Sequence, residues 1–293
     1  MNSDNKRIDP PYLISGREIR DGAGVRITRL FGSQGTFNIT DPFLLLDFFG
    51  SKNPEEYLMG FPWHPHRGIE TLTYLVNGKV EHEDSIGNRG ELLPGEIQWM
   101  TAGSGIFHQE MPKPLGSNPE MMGFQLWINL PRKNKLSKPK YRHINVTKLR
   151  NVRYEGNDVK VISGSFLGSL NEGAEEHPLG ITYLDITSSG STIAFEKHSG
   201  FTSLVIPMEG ELVANDIAIK PGETGIFSGD GNSIIVRGNK TFRFIYISGA
   251  KTRESIAWYG PVVMNTWDEI EKAFKDLQNG TFVRDANPEF VSY

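Results

Sequence analysis

The stretch Phe61-Pro-Trp-His-Pro-His-Arg-Gly68, answered downstream by Ile106-Phe-His-Gln-Glu110, decides how this chain folds and what it can hold. In a β-strand alternate side chains share a face. His64-Pro65-His66 therefore projects two imidazoles to one side of one strand, and His108-Gln109-Glu110 projects an imidazole and a carboxylate to one side of another. Pairing the two strands gathers three neutral nitrogens and one oxygen. That donor set suits a single borderline divalent ion such as Fe, Mn, Ni, Cu or Zn, and leaves one or two positions open for chemistry. Pro65 has no N–H to donate, so its strand is expected at a sheet edge or start, where a barrel mouth lies.

The neighbours of these four residues extend the expectation. Trp63, Trp99, Met100 and Phe107 are candidates for an apolar pocket wall that receives a planar substrate, with plain barrel core as the alternative for each. Glu70 lies four residues after His66 with the same parity, so an unbroken strand would point it into the same cavity. Glu110 is preferred as the carboxylate ligand, because Arg67-Gly68 can break the strand and offer Glu70 a guanidinium partner. His82, within Val80-Glu-His-Glu-Asp84, is expected to be a surface or structural histidine. His143, His177 and His198 stand alone in loop-like contexts and receive no role.

Working outward, the 293 residues allow two domains, and 32 glycines with 17 prolines imply many turns. Short β-rich runs such as Phe43–Phe49, Glu70–Leu75 and Glu96–Met100 fill the first half, and the same style returns from Gly180 to Ser248, so an all-β fold is expected. Pro131-Arg-Lys-Asn-Lys-Leu-Ser-Lys-Pro139 reads as a linker, which sets the domains at 1–133 and 134–293. Leu93-Pro-Gly-Glu96 and Lys220-Pro-Gly-Glu223 suggest an internal duplication. Near the end, Thr266 with Glu269 forms a capping box ahead of an apolar stripe of Trp267, Ile270, Ala273, Phe274 and Leu277, predicting one C-terminal helix packed on the core. The absence of cysteine excludes thiolate ligands and a catalytic thiol. A net charge of -4 with scattered basic residues argues against nucleic-acid binding. With no apolar leader at the N-terminus and no long apolar run, a cytoplasmic protein without membrane contact is expected.

Long segments of the chain resemble the pirins, a family of two-domain cupins. They include Asp41-Pro-Phe-Leu-Leu-Leu-Asp47, Phe61 to Gly68, Gln98-Trp-Met-Thr-Ala-Gly103, Gly105-Ile-Phe-His108, Gly123-Phe-Gln-Leu-Trp-Ile-Asn-Leu-Pro131 and Tyr259-Gly-Pro-Val-Val-Met-Asn-Thr266. The resemblance implies two tandem jelly-roll barrels and an ion, usually iron, bound by His64, His66, His108 and Glu110. It also implies quercetin 2,3-dioxygenase-like activity, in which Glu110 acts as the base and the partners are a small aromatic substrate and O2. Animal pirins are described as nuclear co-regulators, so a metal-responsive interaction protein with a protein partner is the alternative, and a structural cupin a third. Trp63 departs from the family, where a polar residue is more usual. The second half lacks any His-x-His or His-x-Glu pair near Ser199-Gly-Phe201 and Arg237-Gly-Asn239, so its domain is expected to be metal-free.

Overall fold

The computed structural model describes residues 11–170, 177–229, 231 and 233–284. Through the first half run β1 (Tyr12–Ser15), β2 (Arg17–Asp21), β3 (Val25–Gly32), β4 (Phe43–Ser51), β5 (Phe61–His66), β6 (Ile69–Asn77), β7 (Lys79–Asp84), β8 (Arg89–Leu92), β9 (Ile97–Thr101), β10 (Ile106–Lys113), β11 (Met121–Asn129) and β12 (Lys140–Ile144). All but β1 belong to one barrel, made of a seven-stranded sheet in the order β12-β9-β6-β11-β4-β3-β2 and a four-stranded sheet in the order β5-β10-β7-β8. Every ladder is antiparallel, and β5 lies at a sheet edge, where the missing N–H of Pro65 is harmless. The fold is all-β with a C-terminal helix, as the turn-rich composition predicts.

The second barrel repeats the plan. Its seven-stranded sheet runs β1, then Glu223–Phe227, Phe201–Glu209, Phe242–Ala250, Thr182–Ser188, Asn157–Ser163 and Arg150–Tyr154. Its four-stranded sheet runs Ile193–Glu196, Ser233–Arg237, Leu212–Ala214 and Ile217–Ile219. The two matching Pro-Gly turns sit at corresponding places and close in the same way: Leu93 N donates to Glu96 Oε2 and Lys220 N to Glu223 Oε2, both at 2.9 Å. By this topology β5 corresponds to Ile193–Glu196 and β10 to Ser233–Arg237, so the sequence comparison with Ser199–Phe201 and Arg237–Asn239 fell just outside the equivalent strands. Inside the second barrel Ile193, Phe195, Leu212, Ala214, Ile234 and Val236 fill the space with hydrocarbon.

The chain divides into two compact units that are not contiguous in sequence. One holds Met1–Gly16, Thr36–Pro42 and Thr147–Lys251, and the other holds Arg17–Gly35, Phe43–Val146 and Thr252–Tyr293. A single cut between residues 133 and 134 misses this in four places, one of them Thr36–Pro42, which belongs with the second barrel. β1 joins the second barrel by pairing with Glu223–Phe227; β12 joins the first by pairing with β9; and the C-terminal helix, Trp267–Gln278, packs with the first. The helix starts at the expected capping box and buries Ile270 and Ala273 beside Ala257, Val262, Met264 and Phe282, with Phe107 of β10 against the same cluster. Trp267, in its first turn, is 54% exposed and does not join the buried stripe.

Nor is Pro131–Pro139 a linker. Lys135 within it is 1% exposed, and its ammonium donates to Gly68 O, Asn129 Oδ1 and Val263 O at 2.6–2.9 Å. Burial pushes this amine down to about 7, against the pull of Glu254 and Glu269. Arg67 forms a second buried clamp: its guanidinium donates to Ser104 O, Asp276 Oδ2 and Phe282 O and lies 4.2 Å from the centre of the Phe282 ring. Removing a buried cation strands these acceptors. Arg67→Ala is therefore expected to lower stability by about 3 kcal/mol in urea unfolding with little change in slope, and a loss below about 0.5 kcal/mol would show the clamp to be idle.

Candidate metal centre

The register of three strands builds the centre. β10 lies between β5 and β7, with His108 opposite His64 on one side and Asp84 on the other, and Glu110 opposite His82. Side chains directly opposite in an antiparallel ladder share a face, so these groups converge inside the barrel. Between His108 and Glu110 the β5 ladder slips by one residue, at Pro62-Trp63, which bulges the edge strand. The His64 and His108 rings stand 4.3 Å apart, His64 and His66 4.9 Å, and His66 and His108 5.1 Å.

Backbone carbonyls orient two of the rings. His64 Nδ1 lies 2.8 Å from Pro62 O and His66 Nδ1 lies 3.3 Å from Pro261 O. A carbonyl only accepts, so each Nδ1 carries the proton and each Nε2 keeps its lone pair for an ion. His66 Nε2 and both nitrogens of His108 are buried with no hydrogen-bond partner among the described residues. Burial, reinforced by His64, pushes both rings well below the usual histidine range, so they are neutral near pH 7. Buried, neutral, unpartnered imidazoles fit a first-row divalent cation, and His64, His66 and His108 place one nitrogen each within 4.8 Å of one another.

Glu110 is reached from the other sheet. Thr73, Gln98 and Gln125 stand in one row across β6, β9 and β11, and all three donate to its carboxylate: Thr73 Oγ1 and Gln98 Nε2 to Oε1 at 3.2 Å each, Gln125 Nε2 to Oε2 at 2.7 Å. None of the three was visible as a site residue in the sequence, because the row exists only once the sheet order is known. His82 is the other surprise. Its ring is buried, stacked on Tyr141 at 4.6 Å, with its centre 5.5 Å from that of His108. It is a structural-interior histidine and not a surface one, and the alternation of Val80, His82 and Asp84 inward with Lys79, Glu81 and Glu83 outward was the signal for it.

A cavity of about 760 Å³ opens onto the centre, lined by His64, His66, Thr73, Glu110 and Gln125 and walled by Phe49, Phe61, Trp63, Trp127 and Trp258. Trp63 thus lines it. Glu70, Trp99, Met100 and Phe107 do not. Gly68 adopts φ +79°, where an added Cβ would overlap Val263 O, and this turn resets the parity of β6. Glu70 consequently faces away from Glu110, accepting from Trp99 Nε1 at 2.8 Å and Thr101 Oγ1 at 2.6 Å. Its cationic neighbour is Arg142 at 3.5 Å, since Arg67 is taken by Asp276. Trp99 shares that far face beneath the Arg142 guanidinium, Met100 is fully buried on the near face, and Phe107 packs edge-on against Phe282. Trp127, in edge contact with His66, takes the aromatic place expected of Trp99.

Neutral buried histidines make the metal-stripped protein sensitive to acid. Below the ordinary value near 6.5 the unfolded chain takes up protons that folded His66 and His108 refuse, so stability falls as pH drops through 6.5 toward their lowered values. Each ring is expected to contribute up to about 1.4 kcal/mol per pH unit. Urea unfolding of stripped protein at pH 7.5, 6.5 and 5.5 checks this, with His66→Phe giving a shallower slope; a flat profile would contradict the neutral-imidazole assignment.

Comparison with known proteins places this geometry in a family. The pirin profile matches residues 24–128, and the profile of the pirin C-terminal cupin domain matches residues 183–283. A pirin-like protein of Caulobacter vibrioides is 38% identical over 278 residues, covering 92% of this chain and 97% of that one. Among solved structures, a quercetin 2,3-dioxygenase of Acinetobacter baumannii superposes with a TM-score of 0.86 at 30% identity, covering 94% of this chain and 98% of its own. A nickel(II) complex of a bacterial pirin from Escherichia coli, 20% identical, shares the fold over 82% of this chain and 98% of that one, with a TM-score of 0.63. Both barrels are therefore cupins, and the chain belongs to the pirin family.

Proposed function

We propose that this protein is a metal-dependent dioxygenase that cleaves a flavonol such as quercetin with O2. The reading rests on one observation: a 760 Å³ aromatic-walled cavity reaches His64, His66 and Glu110, where the buried His66 Nε2 has no hydrogen-bond partner among the described residues. The quercetin 2,3-dioxygenase of A. baumannii, similar over nearly the full chain, supports it. His64, His66, His108 and Glu110 are the proposed ligands and Fe(II) the proposed ion, with Zn, Mn, Ni or Cu fitting the same nitrogen and oxygen donors. Any of these ions would supply Lewis acidity that acidifies an enolic hydroxyl, and Fe, Mn, Ni or Cu would in addition supply a redox partner for O2.

The protein's own groups do the rest. Trp127 and Trp258, with ring centres 6.3 Å apart, and Trp63 form walls against which a planar ring system packs, excluding water from the reacting atoms. Glu110 takes the proton of the substrate hydroxyl, and the hydrogen bonds from Thr73, Gln98 and Gln125 hold the carboxylate in one orientation while it does so. Among the described residues no helix is long and apolar enough to cross a membrane.

Oxygen uptake by iron-loaded protein with quercetin, run beside His64→Ala, tests the reading. Uptake with a ring-cleaved product, reduced at least about 100-fold in the variant, is the expected result. No uptake despite one equivalent of iron would overturn the dioxygenase reading. Trp258→Ala is expected to raise KM by roughly tenfold with little change in kcat, because its wall packs against substrate and transition state alike.

A further inference from the structure

His82 is a buried polar group that the proposed centre leaves unused. Its side chain is 1% exposed, and neither ring nitrogen has a hydrogen-bond partner among the described residues. Buried imidazoles almost always satisfy at least one nitrogen. The stack on Tyr141 accounts for the ring's faces and for nothing at its edge. The edge looks toward the centre: His82 stands directly opposite Glu110 in the ladder, and His82, His108 and Glu110 each place one donor atom within 4.8 Å of the others.

We infer that His82 is a metal-ligating residue, so that His82, His108 and Glu110 form a second position for a divalent first-row cation adjoining the one formed by His64, His66 and His108. The inference rests on the proposed centre, whose ligand set it enlarges. The donors suit the same class of ion, two nitrogens and a carboxylate oxygen. Two sets of neighbours support the triad. Asp84 Oδ2, fixed by Asn88 Nδ2 at 2.7 Å, lies 3.6 Å from His82 Nε2, a negative charge beside the ring that favours a cation there. Glu110 is steered by Thr73, Gln98 and Gln125. Both triads need His108, and a single ring nitrogen has one lone pair, so one ion occupies one position or the other. The barrel then offers five protein donors where four were expected, with Glu110 within reach of His82 as well as of His108.

Co(II) is the probe, because its visible absorption reports the donors around it. Metal-stripped wild type is titrated beside His64→Ala/His66→Ala, which removes two nitrogens of the first triad, and beside the same protein carrying His82→Phe. The double variant is expected to bind one equivalent with a shifted spectrum, and the triple variant to bind at least tenfold more weakly. Binding lost already in the double variant, or unchanged on adding His82→Phe, would overturn the role of His82 while leaving the four-ligand centre standing; a wild type that binds no Co(II) would sink that centre as well. Urea unfolding of each stripped protein establishes that it is folded, and His82→Gln replaces His82→Phe if the larger ring disrupts the barrel.

Discussion

The site depends on the register of β10 between β5 and β7. Side chains alternate along a strand, so a slip of one residue would turn His108 and Glu110 outward and bring Phe107 and Gln109 in. Two clamps hold the end of β5 against such a slip. The Arg67 guanidinium ties it to Ser104, Asp276 and Phe282, and the Lys135 ammonium ties Gly68 to Asn129 and Val263. Both are buried cations whose hydrogen bonds go mainly to carbonyl and amide oxygens, an arrangement that is costly to disturb because each partner would be left unsatisfied. A polar site with unpaired imidazoles is thereby built on a frame with few alternative arrangements.

The two barrels show that the architecture does not dictate the chemistry. They share a seven-plus-four strand order and even the same Pro-Gly-Glu turn. In one, the strands equivalent to β5, β10 and β7 present Phe195, Ile234, Val236 and Leu212 to each other and gain stability from apolar burial. In the other they present His66, His108 and His82, whose buried nitrogens, His66 Nδ1 apart, have no hydrogen-bond partner among the described residues. Local rules of good packing are broken where function is expected, and kept where it is not.

Parity read along the sequence was enough to bring His64, His66 and His108 together, since all three lie on unbroken strands. It failed for Glu70 because the left-handed turn at Gly68 resets the alternation, an effect of backbone conformation that residue spacing does not encode. It failed for Phe107, which sits on the strand face opposite to that of His108, and for Trp99, which sits on the face opposite to that of Gln98. For His82 the same alternation decides between the surface and the interior places that its acidic neighbours leave open, in favour of the interior. Thr73, Gln98 and Gln125 were beyond reach, because no local pattern says that three distant strands pair in that row. Lys135 was misread for the opposite reason: a basic, proline-bracketed segment is normally solvated, and only the three oxygens that receive its ammonium explain its burial.

The exchange of chain ends between the two units sets an order of assembly. β1 is synthesised early, yet Tyr12 pairs with Ile226, and Arg67 finds its partners only when Asp276 and Phe282 have left the ribosome. The strands of the first barrel end at Ile144, and the segment that completes its unit follows only from Thr252. Such long-range pairings form slowly. The clamp on Arg67 and the apolar cluster behind Phe107 are thus completed by the last segment of the unit, long after the strands that carry the histidines.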